Sequence, residues 1–137
     1  MMAKFTFNSQ QLPVEPFGVD VLCVNASCTR LVIDCSTPPC SVRVNTSAQP
    51  DSHHASITTG PLLPLVTSAT AGNVTVLVHA VVDHTIVEVI FNNRTAMVVY
   101  AYPPSASAKA CSLFAVGGGV KGTIETWELK QANNFGP

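Results

Sequence analysis

Asp83, His84 and Glu88 lie within six residues of one another. An imidazole and a carboxylate at such short range could move a proton on and off a substrate. The sequence puts no Ser or Cys nucleophile beside His84, so the competing reading is a hairpin-tip residue that caps or packs. Glu88 stands between Val87 and Val89 and reads as a core-side carboxylate, which needs a partner once buried. Arg94, just past the next turn, is the expected partner in a structural ion pair, with Lys121 as the other cation. His53-His54 could hold a metal, but adjacent side chains in an extended segment point apart. No metal site, no catalytic residue and no cofactor is read from these groups. His79 alternates with apolar residues and reads as an interior histidine.

The five cysteines offer different chemistry. Cys23, Cys28, Cys35 and Cys40 fall at steps of five, seven and five, and Cys111 stands apart. Four intervening residues within a pair sit at the edge of the zinc-ligand window. Disulfides in an oxidising compartment and buried thiols packed as small hydrophobes are the alternatives. Four Asn-x-Ser/Thr acceptor patterns, at Asn25, Asn45, Asn73 and Asn93, are candidate N-glycosylation sites. Eight asparagines at this Ser/Thr content would give about one or two such patterns by chance, so the excess favours a secreted or lumenal chain. Tyr100 and Tyr102 are two apart and so share a strand face. With His84 they form a candidate carbohydrate-binding surface. Buried rings with bonded hydroxyls are the other reading.

Composition narrows the functions available. Charged residues make up 11% of the 137, and the net charge is −1. No Lys/Arg cluster exists, so nucleic-acid binding lacks its electrostatic basis. The longest apolar runs are far shorter than the ~20 residues of a membrane span. Lys4 is followed by no apolar run, so no leader peptide is read at the start. Neutral polar faces suit contact with sugars or with a neighbouring domain, and equally the outer faces of a Thr-rich β-protein.

These groups must be positioned by strands, because helical periodicity is nearly absent. Strands are expected over 19–24, 30–35, 41–45, 57–59, 74–82, 85–91, 95–102, 110–116 and 121–130. Turns fall at Asn25-Ala26-Ser27, Ser36 to Pro39, Asp83-His84, Asn92-Asn93 and Gly117 to Gly119. Residues 46–54 read as a polar loop with its tip at Gln49-Pro50-Asp51, 62–66 as an edge or extended segment, and 131–137 as a frayed tail. Eight to ten short strands at this spacing make an all-β fold: an antiparallel two-sheet β-sandwich, jelly-roll-like, in one domain over 1–137.

The stretch Asp83-His84-Thr85-Ile86-Val87-Glu88, the strand end Tyr102-Pro103, Leu113-Phe114 before a Gly-rich turn, and the closing Thr126-Trp127-Glu128-Leu129 resemble the C-terminal β-sandwich module of glycoside hydrolase family 32, the invertase and fructanase family. The similarity runs from about Val81 to Trp127. Thr85 replaces the family's Ser, and Asn92-Asn93-Arg94 replaces its Gly-rich turn. The resemblance implies an accessory module whose catalytic partner is elsewhere, with Trp127 a core anchor of the last strand. The family's acids, in Asn-Asp-Pro, Arg-Asp-Pro and Glu-Cys contexts, have no counterpart: Asp20, Asp34, Asp51 and Asp83 precede Val, Cys, Ser and His. Retaining hydrolysis needs two carboxyls ~5 Å apart, so hydrolysis by this chain alone is not expected. The expected partners are a carbohydrate or a glycoside hydrolase catalytic domain. The alternative is a structural or interaction protein that keeps only the fold and works through a homo- or hetero-oligomeric interface.

Overall fold

The computed structural model describes residues 1–49, 56–63, 72–103 and 105–129. Among them every regular element is a strand: β1 (Met2–Asn8), β2 (Phe17–Val24), β3 (Ser27–Asp34), β4 (Ser41–Asn45), β5 (Ile57–Pro61), β6 (Asn73–Asp83), β7 (Ile86–Phe91), β8 (Thr95–Tyr100), β9 (Ala110–Ala115) and β10 (Val120–Glu125). They form two five-stranded sheets, β10-β1-β6-β7-β8 and β5-β4-β3-β2-β9. Every pairing is antiparallel. The expected sandwich is therefore the observed fold. No helix in the described residues is long and apolar enough to cross a membrane.

Period-two patterning builds the core. Ala3, Phe5 and Phe7 of β1 point inward with Val87, Val89 and Phe91 of β7. They meet Val19, Leu31, Ile33, Val42 and Val44 from the second sheet. Phe17 tilts against Phe5 at 5.2 Å and meets Phe7 edge-on at 5.6 Å between ring centroids, a geometry that aromatic quadrupoles favour. Burying each such side chain contributes about 1.5–3 kcal/mol.

Several sequence expectations need correction. β1 was not expected, although its strict alternation is that of a half-buried strand. The last strand ends at Glu125, and Trp127 lies beyond it, 56% exposed rather than anchoring the core. Glu88 points away from the core, because its neighbours Val87 and Val89 take the inward positions. It makes no ion pair with Arg94 within the described residues; the charged pairs there are Arg30–Asp20 and Arg43–Asp34, and His84 Nδ1 contacts Asp83. The β6–β7 hairpin turns on His84-Thr85, since Asp83 still pairs with Ile86. His84 takes the left-handed φ of 50°. Gln49, expected in an exposed tip, is buried. The amide orientation that satisfies its neighbours donates to the Tyr102 carbonyl (2.9 Å) and accepts from Thr29 N (3.1 Å) and Thr29 Oγ1 (3.0 Å). It thereby closes the sandwich end where β2 bulges between Val21 and Val24. Pro50, Asp51, His53, His54, residues 64–66 and the tail lie outside the described residues.

The turn at Asn92-Asn93 stands where it was expected, with φ of 53° and 56°, a region Asn tolerates better than most residues. Asn92 is 2% exposed and works as a clamp. Its backbone N–H donates to Leu77 O (2.8 Å), its Oδ1 accepts from Leu77 N (2.8 Å), and its Nδ2 donates to Leu63 O (3.0 Å). Two disulfides resolve the cysteine alternatives: Cys23–Cys28 and Cys35–Cys40 close loops of sequence separation 5 at the two ends of β3. Cys111 is free and half-buried.

Candidate functional site

The described surface is indented on the outer face of the second sheet. There a groove of about 240 Å³ is bounded by Arg30, Arg43, Asn45, Ile57, Phe114 and Val116, over Val32 and Pro16. Sheet register brings these residues together. Gly18 pairs with Phe114 on one side and Val32 on the other, and Val32 pairs with Arg43. The adjacent row runs Asp20, Arg30, Asn45, Ile57. Gly18 has no side chain to fill its place, so the Phe114 ring lies over it. A Cβ there would sit 3.2 Å from Phe114 Cε1 and 1.9 Å from the Leu31 carbonyl oxygen.

Charge in the groove is internally balanced. Arg30 donates through Nε to Asp20 Oδ1 (2.7 Å) and through Nη2 to Asp20 Oδ2 (2.9 Å), a bidentate pair. The Asp20 hydrogen bond raises the Arg30 pKa above its ordinary value, and partial burial opposes this. The same guanidinium lies 4.4 Å above the Phe114 ring centroid, a cation–π contact. Arg43 donates to Asp34 Oδ2 (3.1 Å). Asp34 is held below the usual carboxylate range, first by the Ser36 hydroxyl at 2.6 Å, with the Ser36 backbone N–H and the Arg43 charge adding to it and burial opposing. Arg43 Nε is buried with no partner among the described residues, at a cost of about 1–3 kcal/mol for an unmade hydrogen bond. Fixed guanidinium and amide donors over an apolar floor can grip hydroxyl or carbonyl oxygens.

The sequence-predicted binding residues lie on the other sheet. Ile86 pairs with Tyr100, so Tyr100 and the hairpin tip carrying His84 share one end of it. Tyr100 is 63% exposed on the outer face, whereas Tyr102 is half-buried beyond β8. His84 Nδ1 sits 2.6 Å from Asp83 Oδ1 at an exposed tip. Sequence reasoning missed the groove: Arg30, Asn45 and Phe114 come from three strands, and only the sheet order β4-β3-β2-β9 joins them. The one local signal was Gly18, a glycine inside an apolar strand, which marks close approach of another group. No group of three or more His, Cys, Asp or Glu in the described residues could hold a metal ion. Of the four glycosylation patterns, Asn25, Asn73 and Asn93 are exposed, and Asn45 is half-buried at the groove.

Fold and site together define a two-sheet antiparallel β-sandwich with a shallow groove on the outer face of its second sheet. The chain belongs to the family described as glycosyl hydrolases family 32 C terminal, whose model matches residues 1–131. That match is wider than the stretch from Val81 to Trp127 legible by eye, and it covers only the C-terminal module, not the catalytic domain. Among solved structures, one titled A. japonicus CB05 superposes with a TM-score of 0.72 at 20% identity, over 89% of this chain and 20% of that one. The exo-inulinase from Aspergillus awamori gives 0.65 at 21% identity, over 88% and 23%. The chain thus spans about a fifth of the length of these neighbours. No curated protein matches the chain.

Proposed function

We propose that this chain is a non-catalytic accessory module that contacts carbohydrate in support of a family 32 catalytic domain. The observation that carries the reading is the groove over Gly18. Its two guanidinium groups are held by aspartates of β2 and β3, the Asn45 amide oxygen accepts from Ser47 N, and its floor is Val32 with Phe114 alongside. A sugar ring has the matching chemistry, with hydroxyls on its edge and C–H groups on its face. Small-ligand sites combine an apolar lining with a few placed polar groups in this way. The exo-inulinase among the structural neighbours makes fructans the natural first probes. The Tyr100, Tyr102 and His84 end of the other sheet is the second surface to watch.

The test is an NMR titration of the chain with sucrose and short inulin oligosaccharides, run beside a turnover assay. Saturable shifts without hydrolysis are expected. Absence of any saturable shift, or measurable cleavage by the chain alone, refutes the reading. A second reading, an interaction protein working through a sheet face, is favoured by one observation: Val81, Ile90, Val98 and Tyr100 are exposed together on the outer face of the first sheet. Exposed apolar patches mark interfaces. Sedimentation that shows a dimer, with no sugar response, would favour it.

A further inference from the structure

We infer that the groove seats the first sugar of an N-linked glycan carried by Asn45, so that the chain's own modification fills its own binding site. This rests on the sugar reading of the groove. Three observations converge on it. Asn45-Thr46-Ser47 is an acceptor pattern, and Asn45 is the one of the four acceptor asparagines that lines the groove. Its Oδ1 is taken by Ser47 N at 2.8 Å, while its Nδ2, the atom that would bear the sugar, has no hydrogen bond to a described residue. Cys23–Cys28 and Cys35–Cys40 suit an oxidising compartment, which is where such glycans are attached.

The attachment balances simply. The amide nitrogen of Asn45 displaces the pyrophosphate of an activated glycosyl donor at its anomeric carbon. A C–N bond forms, the C–O bond breaks with its electrons leaving on the pyrophosphate, and the amide gives up one proton. Geometry then confines the ring. Arg30 and Ile57 flank Asn45 on the two neighbouring strands, about 4.8 Å to either side, and Arg43 lies two residues back on the same face. A ring tethered at Asn45 meets them at once. At about 240 Å³ the groove lies below the usual range of small-molecule pockets, which suits a single ring with the rest of the glycan in solvent. Because Arg30 and Arg43 are each matched by an aspartate, the seat favours a neutral ring such as N-acetylglucosamine over an anion. Arg43 lines the groove beside Asn45, and its half-exposed guanidinium is the donor nearest a ring tethered there. Among the described residues Asn25, Asn73 and Asn93 are exposed and none lines this groove.

The experiment uses the chain secreted from a glycosylating eukaryotic host. Glycopeptide mass spectrometry reads occupancy at each asparagine, and NMR reads contacts between the first sugar and Ile57 or Val32. Timed digestion of the native protein with an amidase that removes N-linked glycans reads shielding. Occupied Asn45 is expected, with sugar contacts to Ile57 and removal at least ten-fold slower than at Asn73. In Arg43→Gln, which removes a groove guanidinium and keeps Asn45, removal should quicken toward the Asn73 rate. Bare Asn45, or a modified Asn45 whose sugar makes no groove contact and is released as fast as Asn73, overturns the inference. If Asn45 is bare and free N-acetylglucosamine or sucrose still shifts the groove amides, the self-seating idea fails while the sugar-binding function stands. If no sugar reaches the groove from either source, both fail.

Discussion

Replacing Gly18 by alanine should collapse both the second sheet and its groove. An added Cβ would stand 1.9 Å from the Leu31 carbonyl oxygen and 3.0 Å from the Leu31 carbonyl carbon. Those are backbone atoms of β3, which cannot rotate away as a side-chain tip can. Gly18 is buried and paired on both flanks, to Val32 and to Phe114. Separating β2 from β3 by the ångström or more required would stretch ladder hydrogen bonds and lift Phe114 out of place. Overpacking of a close-packed site costs typically 1–3 kcal/mol and more when the main chain must move, so the expected loss is about 3 kcal/mol or more. For a chain of this size that lowers Tm by roughly 12 °C, at about 4 °C per kcal/mol. Urea denaturation and thermal melts followed by circular dichroism measure it, with Gly118→Ala as control. A Cβ at Gly118 meets nothing within 4 Å, and that variant should lie within about 0.5 kcal/mol of the parent. If Gly18→Ala loses less than about 1 kcal/mol, the claim that β2 and β3 are tight enough there to require glycine is wrong.

Asn92→Ala should cost about 2–4 kcal/mol in chemical denaturation, because it strands Leu77 N and Leu63 O and puts alanine at a φ of 53°. Replacing Cys35 and Cys40 together by serine should lower stability by about 2 kcal/mol, the loop-closure term for a separation of 5; equal urea midpoints for the two proteins would contradict it. Asp34 has a depressed pKa in the folded state, so its contribution is full above the unfolded carboxylate pKa and is lost as pH falls through the folded value. Asp34→Asn should therefore flatten the acid limb of the stability–pH curve below about pH 4, as read from urea midpoints across that range. Trp127→Ala and Glu88→Gln should each change stability by no more than about 0.5 kcal/mol, since both side chains face solvent; a larger loss in a melt would restore the roles that the sequence suggested for them.

The β6–β7–β8 meander was readable because hairpin turns leave local marks. Asn92-Asn93 supplied left-handed geometry, and the alternation of Val87, Val89 and Phe91 fixed the inward face. That same alternation already placed Glu88 outward, and only the weight given to its branched neighbours hid this. β1 carried an equally plain pattern in Ala3, Phe5 and Phe7. A short alternating run at a chain end carries no flanking turn signal to mark it as a strand. The disulfide pairs were visible as spacing, but spacing alone does not distinguish bonded sulfurs from ligands or packed thiols. The groove could not be read along the chain, since its walls are assembled across strands. Ser112–Asp20 and Arg30–Asn45 are neighbours only once the register is known. The Gln49 clamp was hidden likewise, its partners Thr29 and Tyr102 lying far away in sequence.

The strand that opens the chain has sheet neighbours made much later. β1 ends at Asn8, its first neighbour β6 begins at Asn73, and its other flank is closed by β10 at Val120–Glu125. β3, β4 and β5, by contrast, are each laid beside the one before. During synthesis at roughly 5–20 residues per second, Phe5 and Phe7 stay without a sheet partner for on the order of 3 to 13 s, while β2 to β5 of the second sheet can already pair. A ribosome that stalls before residue 73 would therefore hold a half-built sandwich with its aromatic face open, and that is the interval in which a holding chaperone has most to protect.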